Sequence, residues 1–390
     1  MAKNNITIGI DIGTHTTRLV AVEHNKETNN FEIIATGQTP TSGMRLGYIT
    51  NTDQVAETIK SCVAQAEKTI GTKIKQAYVS IGGISLSSSI AIGAVIISKA
   101  DQEVTKLDIT KAITDSEENL DLTNKKIIDI IPLGYKLDGK EVHGRPEGMY
   151  GARLEVRTLF VTCLKQNIED LVTAFALAKI NILDIVPSPI ATANAILSKT
   201  QKTAGCALVN IGSETVSIAV FENNLLLSMQ ISSVGSMDIT KDIAIGLRIT
   251  LEEAESIKQG GLAGDFPKKK VDEIIEARLG DILELVNNHL KRIRRSELLP
   301  AGIIFIGGGS HINRIEELSK SFLKLPSRVG PSDKSLSSKF KMRDNTWYTA
   351  LGLALINNEG SESNTINTSL GDNFKQVKGL FKSLFSQLLP

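Results

Sequence analysis

Ile6, Ile8 and Ile10 alternate with polar or small residues, the period of a half-buried strand. A Gly/Thr turn follows, and Leu19, Ala21 and Glu23 share one face of a second strand beyond it. Phe31 to Thr36 continues as a third. From Asp53 to Lys68 the period becomes helical: Val55, Ile59, Cys62, Val63 and Ala66 form one apolar stripe, with Asp53 the predicted N-cap. Ala77 to Ile81 returns to strand. The order then recurs. Cys206 to Glu222 reads strand, small-residue turn, strand; Leu225 to Ser232 is a third strand, Ser236 to Gly246 a helix, and Gly302 to Ile306 another strand. A β-β-β-α unit repeated about two hundred residues apart predicts a duplicated α/β fold. Two such halves leave a cleft between two phosphate-sized turns, the default ligand site.

Each half carries an insertion. Residues 84–163 contain a Ser-rich strand, a helix near Asp108 to Leu120, and strands around Lys126 to Leu137 and Ala152 to Cys163. Residues 246–300 are mostly helical and end in a long helix from Val271 to Arg295. The expected divisions are a first lobe of 1–83 and 164–203, an inserted subdomain of 84–163, a second lobe of 204–245 and 301–356, and a helical subdomain of 246–300. Residues 357–372 are polar and poor in large apolar side chains, a predicted disordered linker. In the final segment, 373–390, Phe374, Val377, Leu380, Phe381, Leu384, Phe385, Leu388 and Leu389 follow helical spacing, and Lys375, Lys378 and Lys382 cluster along one flank.

Composition narrows the class. At 390 residues the chain is too long for one ordinary core. Hydrophobic content of 41% and charged content of 22% fit a soluble globular protein. A formal charge of +1 argues against a nucleic-acid grip spread over the surface. Cys62, Cys163 and Cys206 match no zinc spacing and read as buried thiols in a reducing compartment. The chain enters a strand within a few residues, with no signal peptide expected, and no uncharged apolar run reaches spanning length. Membrane contact is therefore expected to be peripheral. The tail supplies the means: lysines bordering an aromatic and leucine face are what an interfacial helix needs, and docking onto a protein surface is the alternative.

Three segments carry candidate chemistry. In the first, Asp11 precedes Gly13, Thr14, Thr16 and Thr17. Glycine lets backbone approach a phosphate, N–H and hydroxyl groups supply donors, and Asp11 can hold magnesium through water. A plain hairpin turn is the alternative. The second turn, with Asn210, Gly212, Ser213 and Thr215, occupies the equivalent place in the repeat. In the third, Gly307, Gly308, Gly309 and Ser310 follow a strand, with a helix expected to begin near Ile312; bare backbone there admits a flat adenine ring.

Together these segments resemble the actin-like ATPase superfamily, whose fold is a duplicated ribonuclease H-like unit, and within it the FtsA family of bacterial cell-division proteins. GIDIGT is similar to the first phosphate motif, CALVNIGSETVSIAVF to the second and IIFIGGGSHI to the adenosine motif. DITKDIA at Asp238 to Ala244 and AESIK at Ala254 to Lys258 are similar to two further family signatures, which implies that Glu255 and Lys258 reach the ribose and adenine. An ordinary surface ion pair is their alternative. The position of the first insertion, and its return through GMYGARLEVRTLFVTC, also resembles FtsA. So does the amphipathic tail, which the related pilus-assembly protein PilM lacks.

The resemblance implies ATP and magnesium as ligands, FtsZ as partner, self-association into filaments, and a place on the cytoplasmic face of the membrane at the division site. The helical insertion would bind the acidic C-terminal tail of FtsZ through Arg278 and, more weakly, Lys270; Arg278 paired with Asp281 or Glu276 is the alternative. The basic stretches Lys268–Lys270 and Lys291–Arg295 lack the interleaved aromatics of a nucleic-acid surface. The second motif departs from the family pattern: Asn210 stands for Asp, Ser213 and Glu214 for glycines, and Ser217 where Asp is common. An amide brings no charge to hold magnesium or polarise water, so at most weak ATPase activity is expected, and Glu214 is expected to point away from the phosphates. A PilM-like scaffold and a true phosphotransferase of the same superfold are the rival readings.

Overall fold

The computed structural model describes residues 5–25, 30–98, 101–261, 266–330 and 344–356. The expected linker at 357–372 and amphipathic helix at 373–390 lie outside the described residues. The first half runs β1 (Asn5–Ile12), β2 (Thr16–Asn25), β3 (Asn30–Pro40), a short hairpin β4 (Met44–Arg45) and β5 (Tyr48–Ile49), α1 (Thr52–Ile70) and β6 (Gln76–Ile81). The insertion supplies β7 (Ser87–Ile96), α2 (Lys106–Glu118), β8 (Lys125–Leu137), β9 (Lys140–Val142) and β10 (Arg153–Leu164). Then come α3 (Lys165–Leu177), β11 (Asn181–Pro187), α4 (Ser188–Ile196) and α5 (Lys199–Ala204). The second half contains β12 (Cys206–Ile211), β13 (Val216–Glu222), β14 (Leu225–Ser232), α6 (Ser236–Leu247), α7 (Leu251–Lys258), α8 (Lys268–Arg292), β15 (Ile303–Ile306), α9 (Ile315–Leu323), β16 (Ser327–Val329) and α10 (Tyr348–Leu355).

The repeat read from the sequence is a repeat of topology. The first half orders its strands β11-β6-β1-β2-β3, and the second orders its own β16-β15-β12-β13-β14. In each, an antiparallel hairpin (β1 with β2, β12 with β13) is flanked by a parallel strand (β6, β15). The core of the second half packs Val209, Ile211, Ile218 and Val220 of the sheet against Ile239 and Ile243 of α6 and Leu279, Ile282, Leu283 and Val286 of α8. In the first half, Val55, Ile59, Cys62, Val63 and Ala66 of α1 are buried, the stripe predicted. The N-cap differs: Asn51 accepts from Gln54 N, and Asp53 sits in the first turn, where a carboxylate complements the helix dipole.

α10 departs from the expected division. Tyr348 to Ala354 are all buried, and a helix apolar all round needs cover on every side. It finds that cover in the first half, against α4, β1 and β2. Gly9 admits it: a Cβ there would lie 2.7 Å from both Leu353 Cβ and Ala354 N. The first glycine of the GIDIGT motif thus serves packing.

Contacts divide the described chain into two units. The larger holds residues up to Ser89, Leu122–Asp129 and Val161–Ile356; the smaller holds Ile90–Asp121 and Ile130–Phe160, both within the expected insertion of 84–163. Within the smaller unit, α2 opens on a capping box between Thr105 and Asp108 and ties to β7 through Asp115, which accepts from Ala94 N at 2.8 Å. Leu154, Val156 and Phe160 of β10 are fully buried.

Candidate functional site

The two turns are built alike. β1 and β2 place Asp11 opposite Arg18, as β12 and β13 place Asn210 opposite Ser217. Gly13 N donates to Thr16 O at 3.2 Å and Gly212 N to Thr215 O at 2.8 Å. Both turns border one cleft of about 1010 Å³, which lies wholly within the larger unit. Asp11, Gly13, Thr14 and Thr16 line it from the first turn and Asn210, Gly212, Ser213 and Thr215 from the second. Glu255 and Lys258 line it from α7, and Gly307, Gly308 and Gly309 from the loop after β15.

Two expected residues stand behind the lining. Thr17 is fully buried, its hydroxyl 2.9 Å from Thr41 Oγ1. Alternation along β2 turns it away from the face shared by Thr16 and Arg18. Ser310 is also buried; it donates to Gly307 O at 2.7 Å and accepts from Asn345 Nδ2 at 3.3 Å, so it shapes the glycine loop from beneath. The helix expected near Ile312 begins later. Gly308–His311 form a 3-10 turn and α9 opens at Ile315, after Arg314 with φ of 65°, so no α-helix N-terminus starts at the glycines.

Arg18 is a cleft residue that motif reading missed. It lines the cleft beside Asp11, with its guanidinium carbon 5.6 Å from the Trp347 ring centroid. Its Nε is buried without a hydrogen-bond partner. Burial pulls its pKa down, opposed by the charges of Asp11 and Asp344. The signal was available: two residues beyond Thr16 on a strand is the same face. Ser80 had no local signal. Its Oγ donates to Asp11 Oδ1 at 2.5 Å, and it arrives only because β6 pairs with β1. Burial raises the Asp11 pKa, and the Ser80 bond and the Arg18 charge act against that rise.

Glu255 and Lys258 form more than a surface pair. Lys258 Nζ lies 2.7 Å from Glu255 Oε2 and donates to Thr240 Oγ1 at 2.8 Å and Ser236 O at 3.2 Å. Thr240 Oγ1 in turn donates to Glu255 Oε2 at 2.5 Å, closing a network between α6 and α7. Burial works to raise the Glu255 pKa, but Lys258, Thr240 and Gln259 outweigh it and hold the carboxyl below its usual range.

The departures of the second turn have distinct places. Asn210 packs its side-chain oxygen against Gly307, joining the second turn to the glycine loop. Glu214 is not among the cleft-lining residues; its Oε2 accepts from Leu46 N at 2.6 Å. On α8, Lys270 is exposed. Arg278 is already clasped: Nε donates to Asp242 Oδ2 at 2.6 Å and Nη2 to Oδ1 at 3.1 Å, while Nη1 lies 3.1 Å from Asp281 Oδ2. Of the two pairings weighed for it, Asp281 forms; Glu276 pairs instead with Arg314. The three cysteines are buried free thiols.

The chain matches two family descriptions, Cell division protein FtsA over residues 207–352 and SHS2 domain inserted in FTSA over 83–162. The FtsA of Bacillus subtilis strain 168 is 30% identical over 375 residues, spanning 90% of this chain and 83% of that protein. The FtsA of Pseudomonas aeruginosa is 27% identical over 374 residues, spanning 89% and 88%. Among solved structures, the PilM-PilN type IV pilus biogenesis complex aligns with a TM-score of 0.66 at 17% identity over 90% of this chain and 97% of that one. MreB5 of Spiroplasma citri bound to ADP aligns at 0.50 and 12% identity over 86% and 94%. These structural likenesses concern the actin-like fold alone.

Proposed function

The chain belongs to the FtsA family of cell-division proteins, and from that premise we propose that it binds ATP in its cleft and tethers FtsZ filaments to the membrane at the division site. The observation that carries the nucleotide half is convergence: two turns and a glycine loop, each far from the others in sequence, line one cleft. The residues suit the ligand. Arg18 lines the cleft beside Asp11, and a guanidinium fork is a ready partner for phosphate oxygen. Around Gly308 the nearest atom to an added Cβ is Thr346 Cγ2 at 3.9 Å, room for a flat ring. Asp11, with one oxygen bonded to Ser80, suits a hydrated magnesium ion. Asn210 brings no charge to the second turn, so ATP serves as a structural ligand that favours a closed, self-associating state.

Tethering rests on the tail. Among the described residues no helix is long and apolar enough to cross a membrane, and the spacing of Phe374 to Leu389 fits an interfacial helix. Full burial of a Leu or Phe contributes about 1.5–3 kcal/mol, and each lysine near an anionic leaflet about 1 kcal/mol. Those magnitudes support reversible binding even after a large discount for partial insertion. The FtsZ tail is assigned to α8 and its basic start. Co-sedimentation with anionic liposomes tests tether and partner together: the full chain brings an FtsZ tail peptide down with the vesicles, and a chain ending at Gly371 leaves both in the supernatant. Equal behaviour of the two chains refutes the tether. Nucleotide titration with and without magnesium tests the cleft.

A further inference from the structure

β4 and β5 are joined by Leu46 and Gly47, with φ of 51° and 77°. Both lie in the left-handed region of a two-residue hairpin turn, where Asn-Gly is the favoured pair. Leucine adopts that backbone poorly, so the turn depends on what holds it from outside. Gly47 N donates to Thr14 Oγ1 at 3.2 Å, and Leu46 N donates to Glu214 Oε2 at 2.6 Å. A Cβ on Gly47 would lie 2.5 Å from Gly83 Cα, so the tip is also wedged against the loop after β6. Gly47 and Gly83 both line the cleft.

The two N–H groups of the hairpin tip are therefore divided between the two phosphate turns, one bond to each. The turns come from opposite halves of the duplicated fold. The Leu46–Glu214 bond joins the two halves, so it resists their separation, the motion that would widen the exit for a ligand held between them. A carboxylate accepting from backbone N–H at this length is the strong, charge-assisted kind. We infer that Glu214 is a positioning residue that latches the Leu46–Gly47 tip across the phosphate end of the cleft and thereby slows the escape of a bound nucleoside triphosphate. This rests on the reading of the cleft as an ATP site.

Two readouts on the full chain test it, with Glu214→Ala and Glu214→Gln compared to wild type. The first needs no nucleotide: amide hydrogen exchange across residues 44–49. The second is stopped-flow release of a fluorescent ATP analogue chased with ATP. Loss of the charged acceptor is expected to speed both by about tenfold in Glu214→Ala. Glu214→Gln, which keeps an acceptor oxygen and loses the charge, is expected to fall between the two. A general loss of stability would not give that rescue. Unchanged exchange overturns the latch, as does faster exchange with unchanged release. Failure of the wild type to bind the analogue instead refutes the ATP site, and with it any role of the latch in nucleotide escape.

Discussion

Replacing Gly307 by alanine tests how the second turn and the glycine loop are built around each other. Gly307 has φ of 83° and ψ of 173°, a region that only glycine occupies readily, at a cost of about 1–3 kcal/mol for other residues. Space adds to this. A Cβ would lie 2.5 Å from Ile211 O and 2.9 Å from Ile211 C, and it would meet Asn210 Oδ1 as well. Forcing a methyl into such a site adds about 1–3 kcal/mol. The expected destabilisation of Gly307→Ala is the sum, about 2–6 kcal/mol if the loop stays in place. If the loop moves instead, the loss appears in nucleotide affinity, about tenfold for each 1.4 kcal/mol. Gly308→Ala is the control. Its added methyl meets nothing nearer than 3.9 Å, so stability should change by less than about 1 kcal/mol. Urea denaturation gives the stabilities and analogue titration the affinities. Lower affinity with unchanged stability in Gly308→Ala would show the ring lying on that backbone. If Gly307→Ala matches wild type in both measurements, the packing argument is wrong.

His289 gives a pH signature. It is buried between Ser228 and Gln230, and burial, with the nearby Arg292 charge, lowers its pKa from 6.5 to about 4. A depressed pKa means that its contribution is fully present above pH 6.5 and lost as pH falls towards 4, at about 1.4 kcal/mol per unit. Denaturation of wild type and His289→Gln should therefore converge as pH drops through that window; a constant difference would refute the assignment. Asp11→Asn removes a carboxylate whose pKa burial raises, a shift whose stabilising contribution is present below the unfolded pKa and lost as pH rises. The variant should be at least as stable as wild type at pH 7 by urea denaturation, yet bind nucleotide without responding to magnesium. A magnesium response equal to wild type would remove Asp11 from that role. If the proposed partner site is correct, Asp242→Asn should loosen the clasp on Arg278 and tighten binding of an FtsZ tail peptide by calorimetry, while Arg278→Ala should weaken it. Neither change altering affinity would move the site off Arg278.

Local sequence determined the elements and the turn chemistry. The strand period at Ile6 to Ile10, the stripe on α1 and the two Gly-containing turns were readable because each depends on residues close in the chain. The duplication was readable for the same reason, and its two halves order their strands identically. Membership of the cleft was only partly readable. Strand alternation separates Arg18 from Thr17, but which face meets the cleft depends on the strands that pair beside them. Ser80 reaches Asp11 through the pairing of β6 with β1, and α10 returns to the first half because an all-apolar helix needs cover that its own half does not supply. Glu214 shows the division most clearly. Its place in a phosphate turn pointed only to a carboxylate that must avoid the ligand. Its hydrogen bond to Leu46 links positions 168 residues apart, and only the assembled fold brings a strained turn and an acceptor within reach of each other.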